Sequence, residues 1–259
     1  MLSEQRQYEM TELICREGKA SISELAEIFN VSCETIRRDL IAISKGDLVR
    51  KVHGGAIAVR HSIRDGSYAV RQVQNSHNKQ KIGERSAKLI KDNDIVGLDS
   101  GTCAEALAKS IKNVTNVTFI VHSLSIANIL ADKIFKGEIS GSVIILNGTV
   151  RPETRTISGM STLAQIKNYH MNKVFVAVTA ISEEGFMAGN ETDGTFSLEL
   201  IHQSDESYII AESEKIGKKS FYRFAEFYEV NGLITDIENP INYGIKKRMS
   251  ESGMEIIYV

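Results

Sequence analysis

Residues 32–44, SCETIRRDLIAIS, decide the fold of the first part of the chain. Ser32 suits a helix N-cap, because its side-chain oxygen can accept a hydrogen bond from a backbone N–H of the first turn. Apolar residues then recur at helical spacing, which predicts a helix through about Ser44 with one buried face. The buried stripe would be Ile36, Leu40 and Ile43, and the outward-facing residues Thr35, Arg37, Arg38 and Lys45.

Two more helices are predicted ahead of this one. Residues 3–17 follow a helical spacing, with Ser3 as N-cap and Gly18 as the stop. After an extended segment at 20–22, a short helix is predicted from a Ser23 cap to Asn30. Two helices joined by a tight turn, the second exposing basic groups near its N-terminus, have the geometry that enters a DNA major groove.

A β-hairpin is predicted directly after the third helix. Residues 48–52 alternate as a strand does, and Gly54-Gly55 permits a turn into a second strand at 56–59. Lys51 and His53 at its edge suit contact with a sugar-phosphate chain. This hairpin would be a wing, so residues 1–59 are predicted to form a winged helix-turn-helix DNA-binding domain.

Local charge agrees with DNA as a partner, although the formal charge of the whole chain is only −2. Six basic residues face two acidic ones between positions 37 and 60, which predicts a strongly salt-dependent attraction for phosphates. A solvated basic loop is the alternative explanation. The basic residues are Arg37, Arg38, Lys45, Arg50, Lys51 and Arg60, and the acidic ones Asp39 and Asp47.

Beyond a polar segment at 60–78, which we interpret as a linker, apolar strands alternate with helices to residue 259. This alternation predicts an α/β domain with a mostly parallel sheet between helices, in which ligands bind beyond the carboxyl ends of the strands. The predicted strands are 95–98, 117–121, 143–146, 174–178, 208–211, 232–235 and 255–258. The predicted helices are 79–91, 102–112, 123–134, 159–168 and 240–251.

The most informative strand end is GLDSGT at residues 97–102, which runs directly into a helix. Small residues, hydroxyls and backbone N–H groups at a helix N-terminus can form an anion site. An ordinary strand-to-helix turn capped by Thr102 is the alternative. The segment matches neither a Walker loop nor GxGxxG, so a nucleotide is disfavoured, and no cofactor is predicted.

Several motifs resemble those of the DeoR family of bacterial regulators: TIRRDL at 35–40, VHGGA at 52–56, DSGT at 99–102, VHSL at 121–124, NGTVR at 147–151 and ESEKIG at 212–217. The resemblance spans nearly the whole chain. It implies a sensor domain that resembles the ribose-phosphate isomerase fold and binds phosphorylated sugars. The DNA-binding residues would be Ser32, Thr35, Arg37, Arg38, Lys51, His53, Gly54 and Gly55. The effector-binding residues would be Asp99, Ser100, Gly101, Thr102, His122, Ser123, Gly148, Arg151 and Lys215.

Departures from the family pattern bear on the effector. His122 stands where an Asn is common, Ser197 where a Lys is common, and residues 177–182, AVTAIS, lack a carboxylate that many members have. The VTAI form and the segment KIGKKSF at 215–221 are most similar to the branch of lactose phosphotransferase-system repressors. That branch responds to tagatose 6-phosphate, which the resemblance implies as the effector.

The resulting hypothesis is a transcriptional regulator, expected to be a repressor of a sugar-utilisation operon, that a phosphorylated sugar releases from operator DNA. Matching a two-fold operator requires an oligomer, expected to be a homodimer or homotetramer. The alternative is a sugar-phosphate isomerase carrying a DNA-binding head. It needs a carboxylate base near DSGT that residues 177–182 do not offer, so no enzyme activity is expected.

Four further predictions concern three single residues and one pair of residues. Asp39 is expected to make a salt bridge to Arg38 or a neighbour, and His122 to be a hydrogen-bonding rather than a metal-binding or catalytic residue. Glu191 and Asp193 are expected in a solvated loop. Cys103 is either a small buried residue or a thiol of lowered pKa.

No membrane or metal partner is predicted. The polar N-terminus lacks the pattern of a signal peptide and no apolar run is long enough to span a bilayer, so the protein is expected in the cytoplasm. The cysteines, Cys15, Cys33 and Cys103, lack the spacing of a zinc site, so they are expected to be reduced thiols.

Overall fold

The computed structural model describes residues 2–44, 49–58, 71–72, 74–237 and 240–259. Its contacts group the chain into two compact units, Met1–Ser76 and His77–Val259. Residues 45–48 and 59–70 lie outside the described part. The predictions that concern Lys45, Leu48, Val59, Arg60 and most of the linker therefore fall there as well.

Residues 2–44 and 49–58 of the N-terminal unit form three helices and a small antiparallel sheet. The helices are α1 (Ser3–Glu17), α2 (Ile22–Ile28) and α3 (Cys33–Ile43), and the strands β1 (Lys19–Ser21), β2 (Val49–Val52) and β3 (Gly55–Ala58). The strand order is β1-β3-β2. The residues buried between the helices and the sheet are Met10, Ile14, Leu25, Ile36, Leu40, Val49 and Ala56.

Capping side chains explain where α2 and α3 begin. Ser32 caps α3 as predicted, because its Oγ accepts a hydrogen bond from Thr35 N at 3.2 Å. The predicted Ser23 cap of α2 is wrong. Ser21 Oγ accepts from Glu24 N at 3.2 Å while Ser21 N donates to the Glu24 carboxylate at 2.8 Å. This reciprocal capping box satisfies two backbone donors and starts the helix at Ile22.

The C-terminal unit is built on a seven-stranded sheet in which every neighbouring pair of strands is parallel. Its order is β15-β14-β12-β9-β4-β5-β6. The strands are β4 (Ile95–Leu98), β5 (Val117–Val121), β6 (Gly141–Ile145), β9 (Met171–Ala177), β12 (Ser204–Ile210), β14 (Gly232–Thr235) and β15 (Glu255–Tyr258). Each of these strands contains or overlaps one of the seven predicted strands. Because all of them pair in parallel, the predicted parallel α/β architecture is confirmed.

The helices of this unit connect and cover the parallel strands. They are α4 (Ser76–Ala87), α5 (Thr102–Ser110), α6 (Leu124–Phe135), α7 (Met160–Ile166), α8 (Glu191–His202) and α9 (Tyr243–Glu251). Because α4 begins at Ser76, the last three residues of the predicted linker are helical. Two buried apolar clusters, one centred on Val176 and Phe186 and one on Leu98 and Phe119, include residues of the parallel strands.

The C-terminal unit also has short antiparallel strands, which the sequence did not predict. The hairpin β7 (Thr149–Arg151) and β8 (Thr156–Ser158) follows β6, and a separate sheet contains β10 (Ala180–Ser182), β11 (Gly185–Ala188) and β13 (Tyr222–Ala225). The prediction that Glu191 and Asp193 lie in a solvated loop is also wrong. Both residues lie in the first turn of α8, because the Asn190 side chain accepts from Asp193 N at 2.9 Å and caps the helix.

The three cysteines differ in exposure. Cys33 is exposed, Cys15 is half-buried and Cys103 is buried. Burial, followed by the nearby Glu212 carboxylate, raises the pKa of the Cys103 thiol to about 12. The alternative of a Cys103 thiol with lowered pKa is therefore wrong, and this thiol behaves as a small buried side chain.

Gly55 is a position where a side chain would break the sheet of the N-terminal unit. It pairs with Ser21 across β1 and β3, and a Cβ added to it would lie 2.3 Å from Ala20 O. We expect Gly55→Ala to weaken this sheet by about 2 kcal/mol. This loss corresponds to a roughly thirtyfold faster amide exchange in β1 and β3. Hydrogen–deuterium exchange measured by mass spectrometry checks this. Gly54→Asn is the matched control, since Gly54 has a φ of 83° with open space around it, and Asn tolerates that conformation. Equal protection in both variants would contradict the prediction.

Thiol labelling distinguishes the cysteines. At pH 8 a thiol with a pKa of about 12 is thiolate in about one molecule in ten thousand, so Cys103 should not react with a disulfide reagent in the native protein. We expect Cys33 to react fast and Cys15 slowly, because burial and Glu12 raise the Cys15 pKa. Cys33→Ser should remove the fast phase. A native protein in which Cys103 reacts as fast as Cys33 would contradict this assignment.

Candidate DNA interface and effector site

The first candidate site is the outer face of α3. The Arg37 and Arg38 side chains are 52% and 80% exposed, and each lies near Glu34, at 3.3 and 3.9 Å. Ser32 is exposed at the helix N-terminus, and its hydroxyl lies 2.9 Å from that of Thr35. The buried residues of α3 are Ile36, Asp39 and Leu40. The two arginines and the two hydroxyls therefore lie outside the core and are accessible to a ligand.

Asp39 makes the expected type of contact with a different partner. Its Oδ2 accepts from Arg6 Nε at 2.7 Å and its Oδ1 from the Gln7 side chain at 2.8 Å, both on α1. The expected salt bridge is therefore present, and its partner is Arg6 on the neighbouring helix rather than Arg38. Asp39 is buried, and a buried carboxylate needs such partners. It anchors the back of α3 to α1 and leaves both outer arginines unused by the core.

The predicted wing is a two-residue turn, His53-Gly54, between β2 and β3. Lys51, His53 and Gly54 are exposed and accessible to a ligand. Gly55 differs from these three because it is buried in β3 against Ala20. Its contribution to a DNA interface would therefore be the shape of the wing.

The second candidate site lies at the carboxyl ends of the parallel strands. Asp99 follows β4, His122 follows β5, Gly148 follows β6 and Lys215 comes after β12. In a parallel sheet these ends lie along one edge, and the strands concerned are neighbours or separated only by β9. The structure therefore brings the predicted effector residues to the same edge of the sheet.

The loop between β4 and α5 has the backbone of a helix-entry turn. Gly101 precedes the helix with a φ of 110°, a conformation that favours glycine, and Thr102 is its first residue. Thr102 is therefore not the N-cap that the alternative explanation required. Asp99 Oδ1 accepts from Ser100 N at 2.7 Å, which fixes the start of the loop. The first-turn N–H groups of α5 point out of the helix, as an anion site requires.

Asp99 and His122 form a buried pair. His122 Nε2 lies 3.0 Å from Asp99 Oδ1, and Nδ1 lies 3.1 Å from the Ile157 carbonyl oxygen. Ser197 on α8 donates to Asp99 Oδ2 at 2.9 Å. Both ring nitrogens thus have protein partners, as expected for a hydrogen-bonding histidine. Within the described residues, no group of three or more His, Cys, Asp and Glu side chains could hold a metal.

The β7–β8 hairpin contributes Arg151. Its Nη1 lies 2.5 Å from Asp193 Oδ1, and the Asn190 side chain donates to the other Asp193 oxygen at 2.7 Å. Both members of this ion pair are partly exposed, 32% and 42%. Gly148, at the start of the hairpin, has a φ of 147°, and a Cβ there would lie 2.2 Å from Thr162 Oγ1. Gly148 therefore permits a tight turn that brings Arg151 to α8.

The β12 end contains a second buried ion pair. Lys79 Nζ lies 3.1 Å from Glu212 Oε1, with both side chains about 5% exposed. Desolvation raises the Glu212 pKa, and the Lys79 ammonium opposes that rise. Asp236 accepts from both Ser213 N and Ser213 Oγ, at 2.8 and 2.5 Å. These contacts fix the short 3-10 turn Ser213–Lys215 that presents Lys215.

The predicted site omitted Ser197, Asp193 and Lys79. Ser197 and Asp193 lie on α8, a helix that was not predicted, so no periodic pattern pointed to them. Lys79 lies 133 positions before Glu212 in the sequence, and their pairing has no local signal.

No helix in the described part of the chain combines the length and apolar character needed to span a membrane.

Curated relatives are similar over nearly their whole length. The chain is 32% identical to the HTH-type transcriptional repressor GlcR of Bacillus subtilis (strain 168), over 91% of this chain and 89% of that protein. It is 29% identical to a lactose phosphotransferase system repressor of Staphylococcus epidermidis, over 96% of both chains. The HTH-type transcriptional regulator IolR of Bacillus subtilis is 28% identical over 88% of both.

Solved structures are more distant. Ribose 5-phosphate isomerase A from Methanocaldococcus jannaschii is 17% identical and superposes with a TM-score of 0.39 over 56% of each chain. A transcriptional regulator from Streptococcus pneumoniae TIGR4 gives a TM-score of 0.43 at 14% identity, over 85% of this chain and 97% of that one. Neither score is high enough to carry a conclusion about fold or function.

Two family models match this chain. The DeoR-like helix-turn-helix domain matches residues 6–62. The DeoR C terminal sensor domain matches residues 74–237, more than half of the chain. The chain therefore belongs to the DeoR family, with its helix-turn-helix domain followed by its sensor domain.

Proposed function

We propose that this protein represses a sugar-utilisation operon and that a phosphorylated sugar releases it from operator DNA. The observation that carries the proposal is the outer face of α3, which presents Thr35, Arg37 and Arg38 beside a wing and keeps its apolar stripe buried. Residues 1–59 would bind DNA, and the unit that begins with α4 would sense the sugar. The relatives named as repressors agree with this direction of regulation.

DNA recognition would divide between α3 and the wing. The N-terminal turns of α3 would enter the major groove, where arginine reads guanine edges and Ser32 and Thr35 donate to phosphates or bases. Lys51, His53 and Gly54 would contact the sugar-phosphate chain. Glu34, next to both arginines, would repel phosphate and so favours a pose in which the arginines face bases.

Effector recognition would take place at the carboxyl edge of the parallel sheet. The α5 N-terminus and the hydroxyls of Ser100 and Thr102 would hold the phosphate, and Lys215 would add a positive charge. Arg151 would approach the sugar from the hairpin, together with His122 and Ser123. The lactose phosphotransferase system relative supports tagatose 6-phosphate as the first effector to test.

Regulation of this kind needs an oligomer. A homodimer, or a homotetramer of two such dimers, could match the two halves of a symmetric operator. The sugar phosphate could shift DNA affinity only by binding one arrangement of the protein more tightly than another.

The sugar-phosphate isomerase alternative is less well supported. An isomerase needs a carboxylate available as a base. Asp99 already accepts three hydrogen bonds, and Glu212 is paired with Lys79. The relatives are named as regulators. Turnover of ribose 5-phosphate by the purified protein would favour the alternative.

Arg38→Ala tests the DNA interface. The side chain is 80% exposed, so the variant should stay folded and lose about tenfold in affinity for DNA from upstream of its own gene. Fluorescence anisotropy at several salt concentrations measures this. Lys247→Ala, an exposed cation on α9, is the matched control and should bind as the wild type does. An Arg38→Ala affinity within twofold of the wild type would reject this recognition face.

Titration of the protein–DNA complex with sugars tests the effector. Tagatose 6-phosphate, its C4 epimer fructose 6-phosphate and unphosphorylated tagatose separate phosphate recognition from sugar stereochemistry. We expect a phosphorylated sugar to weaken DNA binding by about tenfold and unphosphorylated tagatose to have no effect. Thr102→Val and Lys215→Met should abolish the response while DNA binding stays tight. Tight DNA binding that no sugar phosphate changes would preserve the regulator and reject this class of effector.

A further inference from the structure

The hydrogen bonds of His122 specify how many protons its ring carries. Nδ1 faces the Ile157 carbonyl oxygen at 3.1 Å, and a carbonyl can only accept a hydrogen bond. Nδ1 therefore carries a hydrogen. The other nitrogen, Nε2, lies 3.0 Å from Asp99 Oδ1. If Asp99 is ionised, Nε2 must also carry a hydrogen, and the ring is an imidazolium.

The surroundings of Asp99 favour its ionised form. Its Oδ1 accepts from Ser100 N at 2.7 Å, and its Oδ2 accepts from Ser197 Oγ at 2.9 Å. With His122, three donors converge on one carboxyl group, and hydrogen bonds donated to a carboxylate stabilise its charge. The buried pair is then a carboxylate and an imidazolium, which satisfies the need of each buried charge for a partner.

The packing around the ring suits a cation. His122 and Asp99 are both 5% exposed, and the Phe196 ring lies 4.1 Å from the His122 ring, centre to centre. A cation near an aromatic ring gains favourable electrostatic energy. Among the contacts described for the His122 ring, the charged partner is the Asp99 carboxylate. Arg151 of the β7–β8 hairpin and Asp193 of α8 pair with each other.

This charge matters because Asp99 is adjacent to the loop proposed to hold phosphate, Ser100–Thr102. An uncompensated buried carboxylate next to that loop would repel a dianion strongly, since charges interact at low effective dielectric there. We propose that His122 is a positioning residue whose ring carries a hydrogen on both nitrogens. It cancels the charge of Asp99 and so allows the neighbouring loop to bind the phosphate of the effector. The protonation of His122 stands on the hydrogen bonds alone, whereas its effect on the ligand rests on the proposed function.

Nuclear magnetic resonance of the wild-type protein tests the protonation directly. In ¹H–¹⁵N spectra of ¹⁵N-labelled protein at pH 7, we expect both His122 nitrogens to show the shifts of protonated nitrogens. His170, whose side chain is 70% exposed, is the internal comparison. Spectra of His122→Gln and His170→Gln assign the two signals. A single protonated nitrogen on His122 at pH 7 would overturn the proposal.

Calorimetry with inorganic phosphate and with tagatose 6-phosphate tests the effect on the ligand. His122→Gln keeps a hydrogen-bond donor and removes the charge, so we expect both ligands to bind at least tenfold more weakly. The double variant Asp99→Asn, His122→Gln removes the carboxylate as well and should restore phosphate affinity to within threefold of the wild type. His170→Gln, which breaks an exposed histidine–aspartate pair, is the matched control. Circular dichroism verifies folding.

The outcomes are separable. If the single and double variants lose affinity equally, or the single variant loses none, His122 does not act by cancelling charge and the proposal fails. If the wild type binds neither ligand, the phosphate site fails together with the proposed effector, while the ¹⁵N shifts still decide the protonation. If the wild type binds both ligands but DNA is not released, the proposed function fails and the charge cancellation stands.

Discussion

Parallel strand pairing is the constraint on which the second unit depends. All seven strands of the sheet run the same way, so each strand and the next one along the chain must be joined by a crossover, and all their carboxyl ends reach one edge. Asp99, His122, Gly148 and Lys215 come from four different crossovers, yet they meet there. A chain with antiparallel strands in the same places would divide these residues between opposite edges. The candidate effector site is thus a consequence of topology before it is one of side-chain chemistry.

Burial then decides how the charged groups of that edge are used. Asp99, Glu212 and Asp236 are almost inaccessible to solvent, and each is held by donors from a different part of the chain. His122 and Ser197 hold Asp99, Lys79 holds Glu212, and Ser213 holds Asp236. A buried carboxylate without such partners would be costly, so these contacts constrain the loops from which the side chains come. Arg151 and Lys215 remain partly exposed and accessible to a ligand.

Periodicity predicted the parts of the fold in which local sequence and burial agree. The seven central strands are short apolar runs, and Ser32 caps α3 through a contact three residues away. It did not predict the parts that depend on distant partners. Strands of three residues, such as β7 and β8, are too short to show alternation, and α8 begins in a stretch rich in Gly, Asn, Asp and Thr that favours turns. The resemblance of DSGT and VHSL to family motifs suggested Asp99 and His122 as site residues, but Ser197 and Lys79 owe their place to pairings across the fold.

The anchoring of α3 affects how easily the proposed DNA-binding specificity of this helix can change. The buried stripe of Ile36 and Leu40, together with the contacts of Asp39 to α1, fixes the helix from behind. The outer residues Thr35, Arg37 and Arg38 contribute little to that anchoring. Their identities are therefore nearly independent of folding stability, and substitutions there can accumulate without passing through unfolded intermediates. If this surface binds DNA as proposed, its residues can change to recognise a different DNA sequence while the scaffold behind it stays the same.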